Sequence, residues 1–324
     1  MFDEQDAEGR REIRSPLRPY MLTPLGEHHH AVQFTSALTT DEYKQVATLL
    51  EPHPTVELRV YDSIDESIRD LDFLQHFPTV RYFAADSLYT RLDSIDGLGY
   101  LQDLQGLVLD KPSKSTLSPA ALRHLPHLND LYLNGPARDL EVIAELTNLQ
   151  VLTLRSITLP DLSILSTLKR LWRLTLEYGG TNHLDKLGEI QGLQQLEMTR
   201  VRALSDLSPI SDATSLQFLS LIDQQQVTSL PDLSALTQLE MIWLENLRGL
   251  TDLRPLLTAP ALRYLSLEGS HLEPDHIKPL SQHRTLTHAG IGLSSIKKSQ
   301  AARSLLTVKS IEAVDLPPRE VPRT

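Results

Sequence analysis

The 324-residue chain contains no cysteine. That excludes disulfide staples, thiolate nucleophiles and cysteine-ligated zinc or iron–sulfur clusters. Aromatic residues make up only 5% of the sequence against 40% hydrophobic residues in all. The apolar weight falls on aliphatic side chains, leucine above all, so a core must be built from one repeated shape. Positive charge is also short: 31 Lys and Arg stand against 42 Asp and Glu, a formal net charge of −11. Binding along a phosphate backbone needs a concentrated basic surface, so nucleic acid is not the expected partner. The acidity favours solubility and a partner with a basic face. No uninterrupted apolar run approaches the roughly 18 residues needed to cross a bilayer, so no membrane is expected. The stretch MFDEQDAEGRREIRSP is dense in charge, with no apolar segment behind it. It reads as neither a secretory signal nor an anchor, and the expected compartment is the cytoplasm.

What is present is a period. The pattern LxxLxL recurs as LQGLVL from Leu104, LNDLYL from Leu128, LQVLTL from Leu149 and LWRLTL from Leu171. It continues as LQQLEM from Leu193, LQFLSL from Leu216, LEMIWL from Leu239 and LRYLSL from Leu262. Degenerate copies stand at Val80, Leu286 and Val308, and from Val80 to Leu286 successive starts lie 21 to 24 residues apart. The fourth and sixth positions of each copy point inward from a short strand, and stacked copies pair into one parallel sheet. A second motif follows: LPDLSIL at Leu159, LSDLSPI at Leu204, LPDLSAL at Leu230 and LTDLRPL at Leu250. Leu at intervals of three, with Asp, Ser and Pro between, suits short 3₁₀ turns better than full α-helices.

On these motifs, over residues 54 to 316, the chain resembles the leucine-rich-repeat family, and within it the bacterial internalin-like 22-residue type. The resemblance implies an α/β solenoid: a horseshoe with a parallel β-sheet on its concave face and short 3₁₀ or irregular turns on the convex side. One departure is plain. The family places Asn three residues after the last Leu of the strand motif, and this chain has Pro136, Ile157, Gly179, Val201, Gln224, Leu247 and Ser270 there. With the asparagine ladder missing, the corners need other partners and a less regular solenoid is expected. Bacterial repeat proteins of this kind with ubiquitin-ligase activity use a catalytic cysteine, which this chain lacks.

The ends read differently from the middle. Residues 1–19, charged and broken by proline, are expected to be a disordered tail, and 20–52 an N-terminal cap. In the cap Ala31 to Leu38 alternate weakly, as an edge strand would. Thr40 then opens a helix with Asp41 and Glu42 in its first turn and Tyr43, Val46, Leu49 and Leu50 on one face, ended by Pro52. TVELRVYD, with Val56, Leu58 and Val60 inward, is expected as the first stacked strand of a solenoid over 53–316. Near its far end Ser294 or Ser295 caps a short helix carrying Ile296 and Leu305, and a strand follows over Val308 to Val314. Residues 317–324 form a proline-rich tail.

Little in the sequence carries chemistry. His28, His29 and His30 are adjacent, and adjacent residues of an extended chain face opposite ways, so a solvated loop is expected rather than a metal site. His271, His276 and His283, near Glu273 and Asp275, fall on the turn side as exposed residues. GGTNH at Gly179 is a corner, not a phosphate-cradling loop. No nucleophile sits on a strained turn beside a base. No catalytic residue, metal or cofactor is expected.

The residues between the leucines project from the outer face of the sheet, contribute nothing to the core, and are therefore informative. Phe218, Ile222, Met241, Trp243 and Tyr264 fall in three consecutive repeats, about 4.8 Å apart per strand, as one apolar patch. Acids rim it: Glu197, Asp223, Glu240, Glu245 and Glu268. Tyr132, Trp172 and Tyr178 form a second, weaker patch. Trp and Tyr dominate interface energetics. The expected function is a non-catalytic protein-binding scaffold, its partner presenting apolar or aromatic residues flanked by Lys or Arg. A monomer is expected, with pairing of two copies through the patch as the other use of it. The alternatives are an immunity-type antagonist of a basic toxin, and a glycan-binding or hydrolytic groove built from the same aromatics and carboxylates.

Overall fold

A computed structural model describes residues 9–61, 65, 67–86, 92–110, 118–135 and 137–310. The chain divides into two compact units, one up to Leu149 and one from Gln150. Both are leucine-rich-repeat coils with parallel strands in sequence order. The first unit holds β1 (Arg10–Ile13), β2 (Ala31–Phe34), β3 (Glu57–Tyr61), β4 (Tyr82–Asp86), β5 (Gly106–Asp110) and β6 (Asp130–Asn134). The second holds β7 (Val151–Arg155), β8 (Arg173–Glu177), β9 (Gln195–Thr199), β10 (Phe218–Ile222), β11 (Met241–Glu245), β12 (Tyr264–Ser270) and β13 (His288–Leu293). Three α-helices are present among the described residues: α1 (Thr40–Leu50), α2 (Pro274–Ile277) and α3 (Ile296–Arg303). No helix among the described residues is long and apolar enough to cross a membrane.

The register is in phase with the repeat. Leu196, Leu219, Ile242 and Leu265 stand side by side across β9 to β12, and Met198, Leu221, Leu244 and Leu267 likewise. All eight are buried. Each such side chain contributes about 1.5–3 kcal/mol on leaving water, but only because the coils on either side cover it. Behind the strands the LxDL motifs make short 3₁₀ turns, among them Ser163–Leu165, Ser208–Asp212 and Arg254–Thr258. The motif aspartate opens these turns: Asp161, Asp206 and Asp252 accept the backbone N–H two residues on, at 2.8 to 2.9 Å. Asp232 does the same for Ser234 at 3.1 Å. These bonds, with those from the side chains of Ser163, Ser234 and Arg254, hold the carboxyls below the usual aspartate range.

The first residues depart from expectation. The segment read as a disordered tail over 1–19 carries β1, which pairs in parallel with β2. Its charged residues do not keep it in solvent, because their partners are internal. Arg11 is buried and donates to the carbonyls of Met21 and Thr23 at 3.3 and 3.0 Å. Its Nη2 lies 3.0 Å from His29 Nε2. Glu42 takes Ser15 Oγ and Leu17 N on one carboxylate oxygen, while the other closes the capping box with Thr39. β2 is accordingly no edge strand, since β1 and β3 flank it. His29, expected in a solvated loop, is buried, while His28 and His30 are exposed. In α1, Tyr43, Val46 and Leu50 are buried as expected and Leu49 is half-buried. At the far end Ser295 caps α3, but Ile296 is 80% exposed and Leu305 lies beyond the helix. Lys309 bridges His288, and the rest of the strand expected to Val314 and the tail over 317–324 lie outside the described residues.

The corners after the strands show what replaces the asparagine ladder. Ser156, Tyr178, Arg200, Asp223 and Asn246 all have left-handed backbone, with φ between 48 and 57°. Each donates its N–H to the carbonyl of the fifth residue of the following strand, as Tyr178 to Thr199 and Asn246 to Glu268, both at 2.9 Å. The next residue turns inward: Ile157, Val201, Gln224 and Leu247 are buried, as is Ser270 after the left-handed Gly269. Gly179 is required by space, since a Cβ there would stand 2.0 Å from the carbonyl oxygen of Ile157. Apolar packing and a backbone ladder thus do what side-chain amides do elsewhere. Gln224 is the misfit: it is 1% exposed, and neither amide atom has a hydrogen-bond partner among the described residues. Replacing a buried, unsatisfied amide by an apolar group of similar size relieves a penalty of about 1–3 kcal/mol. Gln224→Leu should therefore raise the midpoint of chemical denaturation; a lower midpoint would mean that the amide is satisfied in solution.

Candidate functional site

The register that sends leucines inward stacks the intervening residues outward in columns. In the second unit one column runs Arg173, Gln195, Phe218, Met241, Tyr264, His288. The next runs Thr175, Glu197, Ser220, Trp243, Ser266, Gly290, and a third Glu177, Thr199, Ile222, Glu245, Glu268, Gly292. The expected apolar patch is therefore contiguous in register, but it is not evenly exposed. Phe218 and Met241 are only 7% and 4% exposed, while Ile222, Trp243 and Tyr264 are half-buried. Side chains standing about 4.8 Å apart on neighbouring strands cover one another. Tyr264 is held by stacking on His288, ring centres 4.8 Å apart.

A further column escaped the sequence reading. The residue just before each strand, the second of LxxLxL, has a carbonyl that accepts two N–H groups from the next coil. Trp172 O takes Gln194 N and Gln195 N, both at 2.8 Å, and Gln194 O takes Gln217 N and Phe218 N at 2.7 and 3.0 Å. This pairing lines up Gln150, Trp172, Gln194, Gln217 and Glu240 along the strand entries. Together with Gln195, Phe218, Met241 and Tyr264 they line a groove of about 750 Å³. Lys169, Arg170 and Gly192 complete the lining. The groove brings Trp172, assigned by sequence to the weaker patch, onto the same surface as Phe218, Met241 and Tyr264. The second position of LxxLxL, read down the repeats, carries this column in the sequence. Gln195 is 7% exposed, and its Oε1 has no hydrogen-bond partner among the described residues.

The other two members of the weaker patch stand elsewhere. Tyr132 belongs to β6 of the first unit. Tyr178 is a corner residue at the strand exits, its ring between the guanidinium groups of Arg155 and Arg200 at 4.5 and 5.6 Å. The acidic rim is partly neutralised from within. Glu197 pairs with Arg173 and Asp223 with Arg200, both at 2.8 Å. Glu245 Oε2 accepts from Trp243 Nε1 at 3.3 Å. Glu268 stands beside Glu245 in register, and its carboxylate lies over Gly292, where a Cβ would overlap it. Desolvation raises its pKa above the usual glutamate value; Arg303 opposes the shift and Glu245 adds to it.

The histidines give no cluster. No group of three or more His, Asp or Glu able to hold a metal occurs among the described residues. His276 closes the N-terminal turn of α2 with Glu273, and His283 Nε2 lies 3.0 Å from the carbonyl of Leu256.

Comparison with known proteins agrees with this architecture. An internalin from Listeria monocytogenes superimposes with a TM-score of 0.56 at 19% identity, covering 89% of this chain and 79% of its own. A chain of the Toll–Spätzle complex, from Drosophila, gives a TM-score of 0.58 at 15% identity over 87% of this chain and 39% of its own. The fold is that of a leucine-rich-repeat protein. No family model and no curated relative matches the sequence.

Glu268 gives a direct check of this geometry. Because burial disfavours its charged form, the folded chain holds the proton more readily than the unfolded chain. The carboxylate then costs stability at neutral pH, and the cost fades as pH falls through the raised pKa. Glu268→Gln should melt higher than wild type at neutral pH, with the gap closing on acidification. A gap that does not change with pH would contradict the desolvated placement over Gly292.

Proposed function

We propose that the chain is a non-catalytic protein-binding scaffold that works through the outward face of its second unit. The observation that carries this reading is the in-register set Phe218, Ile222, Met241, Trp243 and Tyr264 on three neighbouring strands. These side chains stand on the face opposite the inward leucines, and contiguous apolar groups so placed mark contact sites. The partner presents apolar or aromatic side chains flanked by basic ones, matched to Glu240, Glu245 and Glu268, which have no salt bridge among the described residues. With its net charge of −11 the chain attracts such a partner at long range. A solved structure with a chain of similar fold is that of a complex, Toll with Spätzle. A narrower version, antagonism of a basic toxin in the cytoplasm, rests on that charge alone.

The second reading is a glycan-binding or hydrolytic groove. It draws on the neighbouring carboxylates of Glu245, which accepts from Trp243, and Glu268, whose pKa burial raises. Affinity capture from native lysate separates the two, with wild type beside a Trp243→Ala, Tyr264→Ala double variant. A protein partner held by wild type and lost from a folded double variant is the expected result. Equal capture by both would remove the site assignment, and hydrolase activity abolished by Glu268→Gln would favour the second reading.

A further inference from the structure

The strand-entry groove has features that a generic contact patch lacks. Its lining runs from Gln150 before β7 to Tyr264 in β12, five inter-strand steps, or about 24 Å at the usual strand spacing. That length matches about seven residues of extended chain. Its apolar floor is Phe218 and Met241, both buried, so little further ordering is needed to receive a side chain. Gln195 is 93% buried by its 7% exposure, lines the same groove, and leaves Oε1 without a donor. A buried acceptor left without a donor gains from an incoming N–H. Charge is ordered along the groove. Lys169 precedes β8 and Glu240 precedes β11, and neither has a salt bridge among the described residues.

Resting on the protein-binding reading, we propose that this groove binds an extended peptide segment of a partner, about seven residues long. An apolar or aromatic side chain seats on Phe218 and Met241 between Trp172 and Tyr264. An N–H of the segment donates to Gln195 Oε1. An acidic residue lies toward Lys169 and a basic residue toward Glu240. A neutral oligosaccharide would stack on Trp172 and Tyr264 but leave both charges unused and meet an aliphatic sulfur side chain on the floor. The adaptable Met241 suits a peptide side chain better.

The test is selection of a displayed random-peptide library on the full-length chain, followed by titration of synthetic copies. Enriched peptides should share the order acidic, apolar, basic, and exchanging their two charged residues should weaken them. Binding should fall at least about tenfold in Trp172→Ala and in Gln195→Leu, as for a central contact. Gln195→Leu removes the unsatisfied acceptor rather than a bond that holds the fold, so loss of fold does not account for its effect. Lys186→Gln and Arg254→Gln, exposed on the turns behind the strands, should leave binding unchanged. No enrichment, enrichment without the charge order, or peptides indifferent to Trp172 and Gln195 would overturn the proposal. So would an oligosaccharide panel that binds wild type and loses binding in Trp172→Ala. In each of those cases the broader reading is judged separately: a protein whose capture depends on Trp243 but not on Gln195 sustains it, and none does not.

Discussion

A single repeat of this chain cannot bury its own leucines, and that constraint shapes everything else. Leu219 and Leu221 leave water only because the coils carrying Leu196 and Met198 on one side and Ile242 and Leu244 on the other close over them. The backbone enforces the stacking at three heights. Strand amides pair in parallel, strand-entry carbonyls take two amides from the next coil, and left-handed corners hand one amide forward to the next strand exit. These ladders are made of main chain, so they tolerate varied side chains. That is why the missing asparagines do not abolish the fold.

The same register has a consequence for function. A strand sends alternate side chains to opposite faces, so fixing the leucines inward fixes every intervening residue outward in a defined column. The second unit uses those columns for two purposes. Some pairs hold the surface itself together, as Arg173 with Glu197 and Arg200 with Asp223 do. Others, notably Trp172, Trp243, Tyr264 and Gln195, make no comparable ionic commitment. The first unit has its own saturated outward network: Glu12, Gln33, Arg59 and Asp86 are hydrogen-bonded in sequence, with Tyr61 donating to Glu12. An outward face can thus be internally satisfied or left open, and the groove lies where it is open.

How much of this was legible depended on whether the signal repeated. The strands from β3 to β13, the 3₁₀ turns and the outward columns follow from a leucine pattern that keeps time over two hundred residues. Features that occur once were hidden. Nothing in RREI announces a strand, because what makes it one is the set of distant partners of Arg11 and the anchoring of Ser15 and Leu17 by Glu42. The burial of Phe218 and Met241 depends on neighbours across the sheet rather than along the chain. The strand-entry column was present in the sequence all along, but its meaning comes from the shared carbonyl that stacks it. The corner solution was foreseen only as a need: the missing Asn said that something must replace it, not that a left-handed residue would.

On this reading inward columns hold the fold while outward columns are free to serve a partner. Thermal and denaturant unfolding of Leu219→Ala beside a Trp172→Ala, Trp243→Ala double variant tests it most directly. The single inward truncation should cost about 2–5 kcal/mol, as cavity-forming leucine substitutions do. The double outward truncation, though it removes far more side-chain volume, should cost less than that single leucine. An outward variant destabilised as much as Leu219→Ala, or more, would mean that these aromatics belong to the core, and would contradict the claim.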